Sequence, residues 1–78
     1  MDLEKIANNL TVLSTDNYLV WFSYRTPIAY SDRAGSFVVR ANEWGPTTGK
    51  HLNAVDGGDK ANRVDGSTFL AGLATVTG

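Results

Sequence analysis

YLVWFSY, residues 18–24, is the stretch whose reading decides the fold. Its aromatic and β-branched residues predict a strand. Alternation places Tyr18, Val20, Phe22 and Tyr24 on one face and Leu19, Trp21 and Ser23 on the other, so both faces carry large groups that need cover. Such a strand belongs in the interior of a sheet, and Thr15-Asp16-Asn17 supplies the turn that leads into it.

Working towards the carboxyl end, Pro27 cannot donate to a sheet ladder, so Arg25-Thr26-Pro27 reads as a turn or the lead into a next strand over 28–30. Ser31-Asp32-Arg33-Ala34-Gly35 has loop chemistry, with Gly35 able to take a positive φ. A further strand follows over 37–40, ending near Ala41, with Phe37 and Val39 on one face and Val38 and Arg40 on the other. Gly45-Pro46 then breaks extended structure. Thr47 or Thr48 is a candidate cap for a short helix, with apolar positions at Leu52 and Val55. Asp56-Gly57-Gly58-Asp59 stops that helix, a polar, solvated stretch runs over 60–63, and Val64 is a candidate brief edge strand. Ser67 is a candidate N-cap for a closing helix that lays Phe69, Leu70, Leu73 and Val76 on the sheet, weakened by Gly72 and by the β-branched tail.

Towards the amino end, Leu3, Ile6, Ala7 and Leu10 recur at helical spacing behind Asp2 and Glu4, which predicts a short opening helix. An extended segment over 10–14 competes with it, because Asn8 and Asn9 are poor in helix interiors and Thr11 and Val12 are β-branched; the boundary falls near Asn9. The expected architecture is one α+β domain over 1–78, an antiparallel three- to four-stranded meander with short helices packed on it.

Composition bounds the chemistry. At 78 residues the chain has room for one thin core, about 60% of its unfolded surface being buried on folding. An apolar fraction of 42% is too high for a disordered chain, and a net charge of −1 gives no general attraction to nucleic acid or anionic membranes. The absence of cysteine removes disulfides, thiolate metal sites and cysteine nucleophiles. With neither a signal-peptide pattern nor a membrane-length apolar run, the expectation is a soluble cytoplasmic protein with no membrane partner.

The segment NEWGPTTGKHLN, residues 42–53, is the expected functional surface. Gly45-Pro46-Thr47-Thr48-Gly49-Lys50-His51 superficially matches a phosphate loop, but only three residues separate its glycines where the motif has four, and His51 stands where Ser or Thr follows the lysine. A weaker version keeps the Thr47 and Thr48 hydroxyls, Lys50 and His51 around a phosphate or a partner's carboxylate at the helix start. The bland alternative is that the threonines only cap the helix and Gly49 only permits close packing. His51 is the sole histidine, so a serine or threonine nucleophile would need His51 with Asp56 or Glu43, and no nucleophile-elbow motif supports that. Asp56 and Asp59 read as a solvated turn. Tyr24, Tyr30 and Trp44, near Arg25, Arg33 and Arg40, are the aromatics left over from the core to stack on single-stranded nucleic acid. Tyr18, Trp21, Phe22 and Phe37 are assigned to the core itself.

At residues 42–53 and at the preceding FSYRTPIAY (22–30) and FVVRAN (37–42), the sequence resembles small proteins of unknown function encoded by tailed phages and related mobile elements. The resemblance covers about 20–63. It implies an accessory protein that binds a host protein, with no catalytic role attached to any residue. The expected binding residues are Arg40, Trp44, Thr47, Thr48, Gly49, Lys50, His51 and Asn53, in the manner of aromatic and arginine interface anchors. No catalytic residue, metal or cofactor is expected. A homodimer is a further expectation, since a thin core leaves apolar surface to cover. Nucleic-acid binding and small-anion or nucleotide binding stand as the alternatives.

Overall fold

In the computed structural model the element order is β1 (Asp2–Ala7), β2 (Leu10–Ser14), β3 (Tyr18–Ser23), β4 (Thr26–Asp32), β5 (Phe37–Val39), α1 (Pro46–Asp56), a 3₁₀ turn (Lys60–Asn62) and α2 (Gly66–Thr77). Residues 2–7, 9–42, 45–58 and 60–77 are described, without the side chains of Pro46, Thr47 and Lys60. The strands form one antiparallel sheet in the order β1-β2-β3-β4-β5, so the α+β meander holds and has five strands.

The extra strand corrects the opening helix. Of the residues that repeat at helical spacing, Leu3, Ile6 and Ala7 lie instead in β1, where Leu3 faces Leu13 and Glu4 faces Val12, and Leu10 opens β2. The hairpin turns at Asn9, whose φ of 62° suits an asparagine better than most side chains. Neighbour pairing across this turn overrides a helical periodicity carried by few residues.

The two-faced reading of β3 is what the sheet uses. Trp21 pairs with Val12 and Ala29, and that face packs Leu10, Ile28, Ala29 and Val39 against Leu52 and Val55 of α1. Val20 pairs with Leu13 and Tyr30, and the opposite face packs Val20, Tyr30, Tyr18, Phe22 and Val38 against Phe69, Leu73 and Val76 of α2. One helix therefore covers each side of the sheet. Tyr30 is buried against Phe69, ring centroids 5.4 Å apart, so it is a core residue and no stacking surface. Phe37, expected in the core, is 48% exposed and meets Trp21 edge-on at 5.5 Å.

Pro27 lies inside β4 at a bulge, where Phe22 pairs with Pro27 and Trp21 already pairs with Ala29. The extra residue relieves the ladder of the N–H that proline lacks. The loop after β4 is held by Asp32 Oδ1, which accepts the Ala34 and Ser36 amides at 3.0 Å, with Gly35 at φ 91°. Beyond β5, Val64 forms a parallel bridge with Arg40. The Val64 amide donates to Val39 O at 2.9 Å and the Ala41 amide to Val64 O at 2.7 Å.

Both helix starts differ from expectation. Gly45 is the N-cap of α1 with Pro46 following in the first turn, a position where the missing proline N–H costs nothing. Asp65, and not Ser67, precedes α2, its carboxylate accepting the Thr68 amide at 2.7 Å. The Thr68 hydroxyl and then the Thr68 amide hold the Asp65 carboxyl below its ordinary value. A depressed carboxyl contributes stability above the unfolded-state value and loses it as pH falls through the folded one. Thermal melts of wild type and Asp65→Asn across the acid range should show a wild-type advantage that shrinks on acidification.

Gly72 in α2 is required by close approach, since a Cβ there would collide with the Tyr30 hydroxyl. Alanine has the higher helix propensity by about 1 kcal/mol, yet Tyr30 is packed against Phe69 and has little room to retreat. Gly72→Ala should lower stability by about 1–3 kcal/mol in urea denaturation, with Tyr30→Phe recovering part of the loss in the double variant.

Candidate functional site

Helix α1 presents three stripes because residues three and four apart share a face. Thr48, His51, Leu52 and Val55 turn to the sheet; Gly49, Asn53 and Asp56 turn to the segment before Val64; Lys50 is exposed. Helix α1 stops where expected, with Gly57 in the left-handed conformation at φ 69° and its amide on Asn53 O at 2.8 Å.

The inward stripe meets a small polar residue on an otherwise apolar face of β3. Ser23 Oγ and His51 Nδ1 are 2.6 Å apart, with Ser23 only 2% and His51 only 7% exposed. Thr48 Oγ1 lies 3.5 Å from Ser23 Oγ, at the outer limit of a hydrogen bond. The centre of the Tyr24 ring is 6.1 Å from that of the imidazole, the two rings tilted by 51°. A serine on a histidine is half of an acyl-transfer arrangement, but here the hydroxyl is enclosed by sheet and helix. Of the two acids offered by the sequence as a third member, Asp56 is engaged elsewhere and Glu43 lies outside the described residues. The contact works as a polar pin between α1 and the sheet, satisfying two groups that would otherwise be costly to bury.

Asp56 also departs from its expected solvated turn. Arg63 clasps it through two bonds, Nε to Oδ2 at 2.8 Å and an Nη to Oδ1 at 2.9 Å, with side chains 6% and 4% exposed. The same Nη donates to Asn53 Oδ1 at 3.1 Å. The backbone stitch between Val64 and Val39–Ala41 brings Arg63 to this position. Two parallel charge-assisted bonds make the clasp strong and directional.

Between the clasp and the strand exit lies a cleft of about 290 Å³ lined by Ala41, Asn42, Gly49, Asn53 and Arg63. Asn42 reaches across it, its Nδ2 donating to Gly45 O at 3.4 Å, and a Cβ on Gly49 would come within 3.1 Å of that nitrogen. The wall is amide and guanidinium on a bare helix backbone, suited to hydrogen-bonding a polar chain segment.

The expected site residues are therefore divided. Gly49 and Asn53 line the cleft, and Lys50 is exposed on the helix next to it. His51 and Thr48 turn inward to Ser23, so they do not join Lys50 around an anion; the helix begins at Pro46, and Lys50 and His51 fall beyond its first turn. Arg40 belongs to the opposite side of the sheet, its guanidinium 5.8 Å from the centre of the Phe69 ring. Trp44 and the side chain of Thr47 lie outside the described residues. Asn42 and Arg63 are the cleft residues that sequence reasoning missed.

The comparison with family models covers residues 1–71. The chain belongs to DUF8033, a family of unknown function. Neither the curated proteins nor the solved structures contain a match. The match to the DUF8033 model spans all five strands, α1 and the start of α2, and thus includes every residue of the cleft and of the pin. Among the described residues of this DUF8033 chain, no three His, Asp or Glu side chains converge as a metal site, and no helix is long and apolar enough to cross a membrane.

Removing one partner of the buried clasp leaves the other charge without its mate. Asp56→Ala should lower unfolding free energy by about 3 kcal/mol, measured by urea denaturation, with Asn53→Ala costing much less.

Proposed function

We propose that the chain is a small non-enzymatic accessory protein of the phage type that binds a cytoplasmic host protein through the 42–53 junction. The observation that carries this reading is the polar cleft walled by Gly49 and Asn53 of α1, with Asn42 and Arg63 opposite. Helix and strand exit are fixed to each other by the Asp56–Arg63 clasp and by the Val64 stitch, so the cleft is held ready before a partner arrives. Pre-organisation of that kind reduces the ordering cost of association. The resemblance of residues 42–53 to phage and mobile-element proteins supports the setting. Lys50 on the neighbouring surface adds a charged contact, and Trp44 belongs to the junction in sequence as a candidate aromatic anchor.

The test is affinity capture from host lysate with wild type, Trp44→Ala, Lys50→Ala and Asn53→Arg, each shown to be folded by circular dichroism. A partner retained by wild type should be reduced by about tenfold or more in Trp44→Ala and Asn53→Arg. Equal recovery by all four proteins would remove the junction from the reading.

A further inference from the structure

The two edges of the sheet are unlike. Beyond β5 the ladder is continued by Val64, whose backbone bonds to Val39 and Ala41. β1 ends the strand order on the other side. All six of its residues are exposed, with Leu3 70% and Ile6 50% accessible. A strand with this exposure contributes almost nothing to the core, and its outer edge is a row of amide and carbonyl groups suited to pairing with another strand.

Beside this edge, on the face that carries α2, runs a groove of about 280 Å³ lined by Leu3, Thr11, Phe22, Tyr24 and Arg25. Cross-strand pairing explains its floor, since Lys5, Thr11 and Phe22 are consecutive partners, as are Leu3 and Leu13. Tyr24 stands at the groove's end, 57% exposed and at φ 58°, with its amide on Asn9 O at 2.7 Å. The left-handed region is strained for a non-glycine side chain, and here the hairpin keeps an aromatic ring at the surface in spite of it.

Charge separates the two faces of β1. Asp2 and Glu4 pair with Ser14 and Val12 and so lie on the α1 side; Leu3 and Lys5 lie on the groove side, near Arg25. This pattern disfavours a second copy. Antiparallel pairing about a two-fold axis normal to the sheet must bring residues of one face together. It then sets Glu4 on Glu4, Lys5 on Lys5, or Asp2 on Glu4, and a register centred on Ile6 leaves only the end of the strand paired. Like charges directly opposite are destabilising.

We propose that the β1 edge, with the groove of Leu3, Phe22 and Tyr24 beside it, is a docking site for an extended strand of a partner protein. The strand joins the sheet by main-chain pairing. Its alternate residues are basic on the α1 side, opposite Asp2 and Glu4. On the groove side they are apolar opposite Leu3 and acidic opposite Lys5. This surface is separate from the α1 cleft and does not depend on it.

The test is selection of a yeast-displayed library of random dodecapeptides against the 78-residue chain, followed by titration of enriched peptides into ¹⁵N-labelled protein. Enriched sequences should alternate Lys or Arg on one face with apolar and acidic residues on the other, and the amide shifts should centre on Leu3, Glu4, Lys5 and Tyr24. Leu3→Asp and Tyr24→Ala, both changes of exposed side chains, should weaken binding by about tenfold. Glu4→Lys should do the same and be rescued by a peptide carrying Glu at the facing position. Selection that yields no alternating peptide, or peptides whose shifts map to the α1 cleft, would overturn the proposal. So would sedimentation showing a dimer that Leu3→Asp dissociates, because the occupant would then be a second copy.

Discussion

Val20 and Trp21 are adjacent in β3, point to opposite sides of the sheet, and each needs apolar cover. That requirement organises the molecule. A short chain ordinarily builds two layers, with one sheet face left polar. Here aromatic groups on both faces call for a helix on each side: Leu52 and Val55 of α1 on one, Phe69, Leu73 and Val76 of α2 on the other. With so few residues per layer, each helix is short and the strand farthest from them, β1, receives no cover from either.

Thin layers place weight on polar contacts. The Ser23–His51 pin fixes the sheet-facing stripe of α1, and the Asp56–Arg63 clasp fixes its carboxyl end to the segment leading to Val64. Each has its partners within the fold, so α1 is held in a single rotation about its axis. That rotation decides which of Thr48, Gly49, Lys50 and His51 meets solvent and which meets the sheet. A site on this helix is therefore a matter of register as much as of residue type.

The sequence was legible where local chemistry and tertiary context agree. The alternation of β3, the faces of β5, the turn at Thr15 and the glycine stop after Asp56 all rest on near neighbours, and all are found. In the opening segment Leu3, Ile6, Ala7 and Leu10 satisfy helical spacing, whereas the hairpin to β2 is settled by pairing across Asn9. Threonine at 47 or 48 suits a helix cap by residue type alone. The chain instead begins α1 at Gly45 and Pro46, and Thr48 is directed to a serine twenty-five residues earlier. Of the residues that line the cleft, Gly49 and Asn53 stand in a segment distinctive in sequence, while Arg63 does not, because it is brought to Asp56 by a backbone stitch that no short window contains.

That stitch at Val39–Ala41 also bears on self-association. A sheet with two open edges can add copies head to tail without limit, the geometry from which fibrils grow. Val64 caps one of the two edges at Val39–Ala41, so a native copy docked at β1 presents at its far side an edge whose carboxyl end is already engaged. The fold thus leaves its two edges unequal, β1 open along its length and the β5 side partly closed by its own chain.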